Sequence, residues 1–293
     1  MCALLMKVRW YAFLSAVALL ALPAIQPAIA GTPPVRAQAC ASGTRWIVSA
    51  GSLLRSRSAF PVDRQREYLD SPCTFLIEGR SNAVDYRGRR AARTASATSI
   101  AMVARAARDP AIVAVLYDPE AWKMTPRAEQ RDPVAAACKA ETIAHAHGKL
   151  LIVAPAVDLL RVLAPGRAHP GGRYALFERL NLADHMARRA DVYEVQAQGA
   201  EANGAKFSSF VHAEARQVRA SNPCVLVLAG LSTNPSGQRV TAQQVYAAAQ
   251  SVRGNVDGYW LNIPAGGKAC PRCGVPQPQV AVRFLGMLAA NNP

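Results

Sequence analysis

The segment Tyr117-Asp118-Pro119-Glu120 carries two carboxylates at positions i and i+2. On extended backbone, alternate side chains share a face. Asp118 and Glu120 therefore lie on one side, with Cα atoms roughly 6–7 Å apart at a rise of about 3.3 Å per residue. Like charges held that close push one pKa up, so one carboxyl stays protonated while its neighbour ionises. The stretch Asp191–Gln198 sends Val192, Glu194, Gln196 and Gln198 to one face and Tyr193, Val195 and Ala197 to the other. Three long polar side chains on one face of an otherwise apolar strand need partners, either in a wet cavity or in an internal hydrogen-bond network. Gly258–Pro264 sets Trp260 and Asn262 on one face, an aromatic platform beside an amide. Sugars present flat apolar faces edged with hydroxyls, so that pair suits a glycan. Carboxyls about 5–5.5 Å apart, or about 6.5–9.5 Å apart, cleave glycosidic bonds with retention or inversion. The expected catalytic set is Glu194 as general acid with Asp118 or Glu120 as its partner. Glu78, Asp158, Gln196, Gln198, Asn234, Trp260 and Asn262 are the expected substrate-binding residues. Structural alternatives stand beside these roles: a turn at Pro119 for the Asp118/Glu120 pair, a helix cap for Asp158, and core packing for Trp260.

These residues fall at the ends of short apolar segments. Strands are expected at Arg45–Ala50, Thr74–Gly79, Ile112–Asp118, Leu150–Leu159, Asp191–Gln198, Cys224–Ser232 and Gly258–Ile263. Helical periodicity follows most of them, over Ala91–Arg108, Asp132–His147, Gly171 to about Arg189, Ala205–Ala220, Thr241–Val252 and Pro278–Ala290. Asp132 with Pro133 reads as a helix start and Gly148 as a stop. Strand and helix alternating argue for a parallel sheet with helical crossovers. Asp118, Asp158, Glu194 and Ser232 recur every 36 to 40 residues. The expected fold is a (β/α)8 TIM-type barrel with an irregular first third, its site at the C-terminal ends of the strands. The eighth strand is expected near Gly51–Arg66 or Asn82–Arg90. A doubly wound open sheet would usually carry a Gly-rich phosphate turn after the first strand, and Ser49-Ala50-Gly51-Ser52 is not one.

Residues 1–30 read as a secretory signal peptide: Lys7 and Arg9, the apolar run Tyr11–Ile25, then Ala28-Ile29-Ala30. Ala37-Gln38-Ala39 offers a second cleavage point, and Cys40 after it a lipid-anchoring alternative. That anchor would be the chain's one tie to a membrane. Residues 31–41 form a tether and 42–293 a single domain, long enough to bury a sizeable core. The expected location is extracellular or at the cell envelope. Cys40, Cys73, Cys138, Cys224, Cys270 and Cys273 remain after cleavage, an even number that suggests disulfides in an exported chain. The net charge of +15 follows from an Arg-rich composition. It would also draw anionic polymers. No aromatic platform of the base-stacking kind accompanies it, so nucleic acid is not an expected partner. A carbohydrate or cell-wall polymer is.

His145-Ala146-His147 ends a helix, where residues two apart do not face each other, so no metal pair is expected. Cys270-Pro271-Arg272-Cys273 lacks the second pair that a structural zinc needs and is expected to form a local disulfide. There is no G-x-S-x-G elbow and no P-loop, and no cofactor is expected.

Several phrases resemble an uncharacterised family of secreted bacterial proteins with glycoside-hydrolase-like TIM barrels. They are Tyr117–Glu120, Thr125-Pro126 with Glu129-Gln130 and Asp132-Pro133, Ala144–Gly148, Val195–Asn203, Val227–Pro235, Asp257–Pro264 and Cys270–Gly274. The resemblance runs from about Ile112 to the C-terminus and implies the barrel and export. The polar alternation and the Trp on the last strand are also similar to family 18 glycosidases, whose D-x-x-D-x-D-x-E strand is absent here. The expected function is glycan hydrolysis by carboxylate acid/base catalysis. The alternatives are a non-catalytic polysaccharide-binding barrel using Trp260, Asn262 and Gln196, or a metal-dependent phosphodiesterase using the same carboxylates.

Overall fold

The computed structural model describes residues 43–78, 90–167, 170–267 and 271–291. The expected signal peptide and tether, Cys40, Cys270 and residues 82–89 of one expected strand lie outside them. Eight strands run β1 Arg45–Ser49, β2 Thr74–Ile77, β3 Ala92–Ala97, β4 Ala114–Tyr117, β5 Leu150–Val153, β6 Val192–Val195, β7 Leu226–Ser232 and β8 Gly258–Asn262. They pair in sequence order and all in parallel, and β8 closes on β1 through Trp46 opposite Tyr259. The expected (β/α)8 barrel is therefore the observed fold.

Alternation sorts the strand residues into two cores. Ile47, Phe75, Ala114, Leu116, Ile152, Val192 and Leu228 pack inside the barrel. Val48, Val115, Tyr117, Tyr193, Val195, Val227, Leu231 and Leu261 face the helices. The predicted faces of β4, β6 and β8 hold, although Val113, just before β4, packs with the inner set. The buried phenols find acceptors, as buried polar tips must. Tyr117 donates to Glu129 (2.9 Å), Tyr193 to Glu214 (3.1 Å) and Tyr259 to the Ala249 carbonyl (2.9 Å).

Three local expectations are corrected. The eighth strand is β3, Ala92–Ala97, inside the segment predicted as the start of a helix; that helix is confined to Ile100–Ala107. Its Ala-Arg-Thr-Ala-Ser-Ala sequence offers one β-branched residue, Thr94, and no aromatic or large apolar one to mark a strand. Residues within Gly51–Arg66 are helical instead, in Ala50–Arg55 and Val62–Leu69. The long helix expected from Gly171 is two helices, Gly172–Arg179 and Leu182–Ala187, broken at Asn181, whose φ of 53° is left-handed. Elsewhere the helix signals are accurate. Asp132 caps Pro133–Ala146 by accepting from the Ala135 amide, and Thr241 forms a capping box with Gln244. Of the six cysteines, Cys224 is an exposed free thiol. Cys73 and Cys273 are disulfide-bonded. Among the described residues no helix is long and apolar enough to cross a membrane.

Candidate active site

The C-terminal ends of the strands open into a cavity of about 700 Å³. Glu120, Asp158, Gln196, Gln198, Ser232 and Asn262 line it, with Arg55, Trp122, Arg161, Arg173, Tyr174 and Arg272 from the helices and loops after the strands. A smaller cavity of about 460 Å³ opens at the opposite end, among the strand starts at Arg45, Leu150, Val192 and Leu226. Stability rather than chemistry is expected at that end of such a barrel. There Asp191 accepts from the Leu151 amide (2.7 Å) and from His145 (2.8 Å).

The carboxylates sort by depth. Glu120 is half-buried at the mouth, on a loop braced from within. Thr125 Oγ1 accepts from the Glu120 amide (3.2 Å) and from Trp122 Nε1 (3.0 Å). Gln130 Nε2 donates to the carbonyls of Trp122 (2.6 Å) and Thr125 (2.7 Å). Thr125 and Gln130 belong to the phrase that carried the family resemblance, and fixing this loop is what they do. Asp158 faces Glu120 from the turn after β5. It accepts from the Ala121 amide (2.8 Å) and lies 3.7 Å from Arg161, so it combines a loop-bracing bond with a place in the cavity wall.

Asp118 lies one step deeper and is 8% exposed. Gln196 Nε2 donates to it (2.7 Å) and also to the Ala154 carbonyl (2.9 Å), which fixes which end of the amide faces the carboxylate. Glu194 is deeper still and wholly buried, and among the described residues neither of its oxygens has a hydrogen-bond partner. Its room comes from Gly230 on the neighbouring strand, where a Cβ would strike the Glu194 and Gln198 side chains.

Burial shapes this cluster's electrostatics. Loss of water raises Asp118 to about 7, against the Gln196 hydrogen bond and with the charge of Asp158. Burial, then the charges of Asp118 and Asp158, push Glu120 up to about 8, while Arg161 pulls the other way. Glu194 is raised well above the ordinary carboxylate range, first by burial and then by Asp118 and Glu120. An unpaired carboxylate in that position would be costly to ionise, so Glu194 is the neutral member. Glu201 is a further buried acid raised to about 8 by burial; it accepts from the Ser232 amide (2.9 Å) and steadies the end of β7. Among the described residues no group of three His, Cys, Asp or Glu side chains stands in a metal-holding arrangement.

The remaining expected site residues divide. Gln196, Gln198 and Asn262 reach the cavity. Glu78 does not: it shares the helix-facing side of β2 with Leu76, nearly buried, and pairs with Arg93 at 2.7 Å. Trp260 points inward but one layer too low. It sits opposite Ile47 and Gly230 in the strand register and packs on the inner apolar cluster, leaving Asn262 to reach the rim. Asn234 is buried and donates to the Cys273 carbonyl (2.6 Å), clasping the loops after β7 and β8. The arginines and Trp122 were not anticipated, since they sit on the short helices and loops that follow the strands, outside the alternating pattern. Gly230 was not either, because its role is the space it leaves.

No protein-family model matches the chain, and no curated protein matches its sequence. Solved structures do match its fold. A sugar phosphate isomerase/epimerase from Parabacteroides distasonis is 11% identical over 89% of this chain and 99% of that one, with a TM-score of 0.50. A family GH18 chitinase catalytic domain from the fern Peteris ryukyuensis is 16% identical over 72% of this chain and 71% of that one, at a TM-score of 0.37. Triosephosphate isomerase from Bartonella henselae is 12% identical over 75% and 92%, at 0.39. At these identities the likeness is one of fold: the chain is a TIM-type barrel.

Proposed function

We propose that this barrel is an exported hydrolase that cleaves a glycan by carboxylate acid/base chemistry, with Glu120 as general acid and Asp118 as its partner. The observation that carries this reading is Glu120 and Asp158 in the wall of a cavity of about 700 Å³, with Asp118 buried beside them on Gln196 and Glu194 buried beneath. Glu120 borders the cavity and holds its proton to about pH 8, so it can deliver that proton to a glycosidic oxygen at neutral pH. Asp118 loses its proton first, near pH 7. Oriented by Gln196, it then meets the positive charge that develops on the sugar ring or the water that attacks it. Glu194, the general acid expected from sequence, has no exposed surface. Its proposed role is a neutral carboxyl beneath the pair, which adds no further negative charge. Gln198 and Asn262 bind sugar hydroxyls. The Cys270–Cys273 bridge and the signal peptide belong to the same proposal of export.

The test is a hydrolysis and binding screen over a panel of polysaccharides, with Glu120→Gln, Asp118→Asn and Glu194→Gln beside the wild type and thermal melts to confirm folding. The expected result is loss of turnover in the folded Glu120 variant with binding retained. Full activity in that variant would end the assignment. The amide-rich wall of Gln196, Gln198 and Asn262 favours a second reading, a non-catalytic polysaccharide-binding barrel, which predicts binding without turnover. A metal-dependent phosphodiesterase using these carboxylates would instead lose activity with a chelator.

A further inference from the structure

Four arginines face the mouth from separate places in the chain. Arg55 ends the helix after β1, Arg161 sits on a single helical turn after β5, Leu160–Leu163, Arg173 sits on the helix Gly172–Arg179, and Arg272 lies in the loop after β8. All four are exposed, and two carboxylates, Glu120 and Asp158, share the wall with them. Asp158 lies 3.7 Å from Arg161. Among the described residues Arg55, Arg173 and Arg272 have no carboxylate within 4 Å; Arg55 donates to Ser52 (3.2 Å) and Arg173 to the Tyr174 hydroxyl (3.1 Å). The Arg173 guanidinium also stacks on the Tyr174 ring, 4.9 Å from its centroid, in space that Gly199 leaves open. Stacking costs a guanidinium none of its outward donors, and its planar fork matches an oxyanion in two bonds.

We infer that the mouth selects glycans bearing oxyanions, carboxylate or sulfate, with Arg173 as the principal anchor and Arg55 and Arg272 supporting it. The inference rests on the glycan reading of the site and adds the charge of its substrate. A neutral sugar would leave three guanidiniums without a counter-charge around a cavity that has amides enough to bind hydroxyls. The acids beneath do not cancel the field at neutral pH, because burial keeps Glu194 and most of Glu120 protonated there.

The test compares polymers that share a backbone and differ in charge: polygalacturonate against its fully methyl-esterified form, and dextran sulfate against dextran. Binding is read by affinity electrophoresis and calorimetry, and hydrolysis by reducing ends. The expected result is at least ~10-fold tighter binding of one charged member than of its neutral partner, falling about tenfold or more in Arg173→Gln. Arg173→Lys should recover only part of it, since an ammonium keeps the charge and loses the fork. Arg108→Gln, at an exposed helix end far from the mouth, removes the same net charge and should bind like the wild type. Equal binding of both members of each pair would overturn the inference, as would equal losses in the Arg108 and Arg173 variants. Cleavage of neutral polymers alone would overturn it and leave the hydrolase reading standing. Selective binding of the charged polymers without cleavage would support it and count against the hydrolase reading. Preference for the carboxylated or the sulfated pair identifies the anion.

Discussion

Asp118→Asn isolates the contribution of one charge to the proposed general acid. Asp118 ionises near pH 7 and Glu120 near pH 8, so the Asp118 anion is in place when Glu120 gives up its proton. Two residues along extended chain place the groups roughly 6.6 Å apart. At that distance and an effective dielectric of about 20 to 40, two unit charges repel by about 1.3 to 2.5 kcal/mol, or about 1 to 2 pKa units. The asparagine keeps the shape and the burial but removes the charge. Glu120 should therefore fall from about 8 to about 6–7, not to its ordinary value, because burial is the larger cause of its shift. The assay is NMR titration of protein carrying ¹³C-labelled glutamate carboxyls, with the Glu120 signal assigned by its absence in Glu120→Gln. If the variant hydrolyses a glycan, the alkaline limb of its pH–rate profile should move down by the same amount. A Glu120 midpoint that stays within about 0.3 units of the wild type, or rises, would refute the electrostatic account. So would a wild-type midpoint near 4.5, because the acid would then carry no proton at neutral pH.

Three other tests address the scaffold. Glu214 is raised to about 8 by burial, so the unfolded chain loses this proton near 4.5 and the folded chain only near 8. Stability from this group is therefore present in acid and lost as pH rises through that window, by up to about 5 kcal/mol; Glu214→Gln should flatten the fall in urea midpoint between pH 5 and 8. His145 is raised by its hydrogen bond to Asp191 and by the charges of Asp191 and Glu141, against its burial. Its contribution is full below about pH 6.5 and lost as pH rises through its folded value, so His145→Gln should lower the melting temperature more at pH 5.5 than at pH 9. Gly230→Ala pushes a methyl into Glu194 and Gln198 and should cost about 1–3 kcal/mol, read as a lower melting temperature and an altered Glu194 titration; an unchanged melt would show that the pocket yields freely.

The barrel was legible because its outer face is made of branched and aromatic residues, Val115, Tyr117, Tyr193, Val195, Val227 and Leu261, whose period of two is unambiguous. Where that signal is missing, the reading failed. Apart from Arg93, β3 consists of small residues, Ala92, Thr94, Ala95, Ser96 and Ala97. In β2 the run Thr74-Phe75-Leu76-Ile77 is buried or nearly so throughout, and an apolar run on both sides does not reveal which parity faces inward. Glu78 was assigned to the wrong side for that reason. Trp260 failed differently. Its face was right, but alternation reports direction across the sheet and says nothing of height along the barrel, which depends on the stagger between strands.

Height is also what separates the acids. Asp118, Glu120 and Glu194 all lie on inward parities, and a one-dimensional reading gives them equal claims to the chemistry. The folded chain orders them by access to water: Glu120 at the mouth, Asp118 held by Gln196 below it, and Glu194 sealed beneath Gln198 and against Gly230. That order sets which proton can reach a substrate. The deepest group is raised well above the carboxylate range and has the least access, so it is poorly placed for transfer and well placed to remain uncharged. The shallowest keeps enough burial to stay protonated near neutrality and enough exposure to meet a ligand. If Glu194 were the acid, replacing it with Gln would abolish turnover while Glu120→Gln would not. The depth ordering requires the reverse, and the pair of variants decides between them.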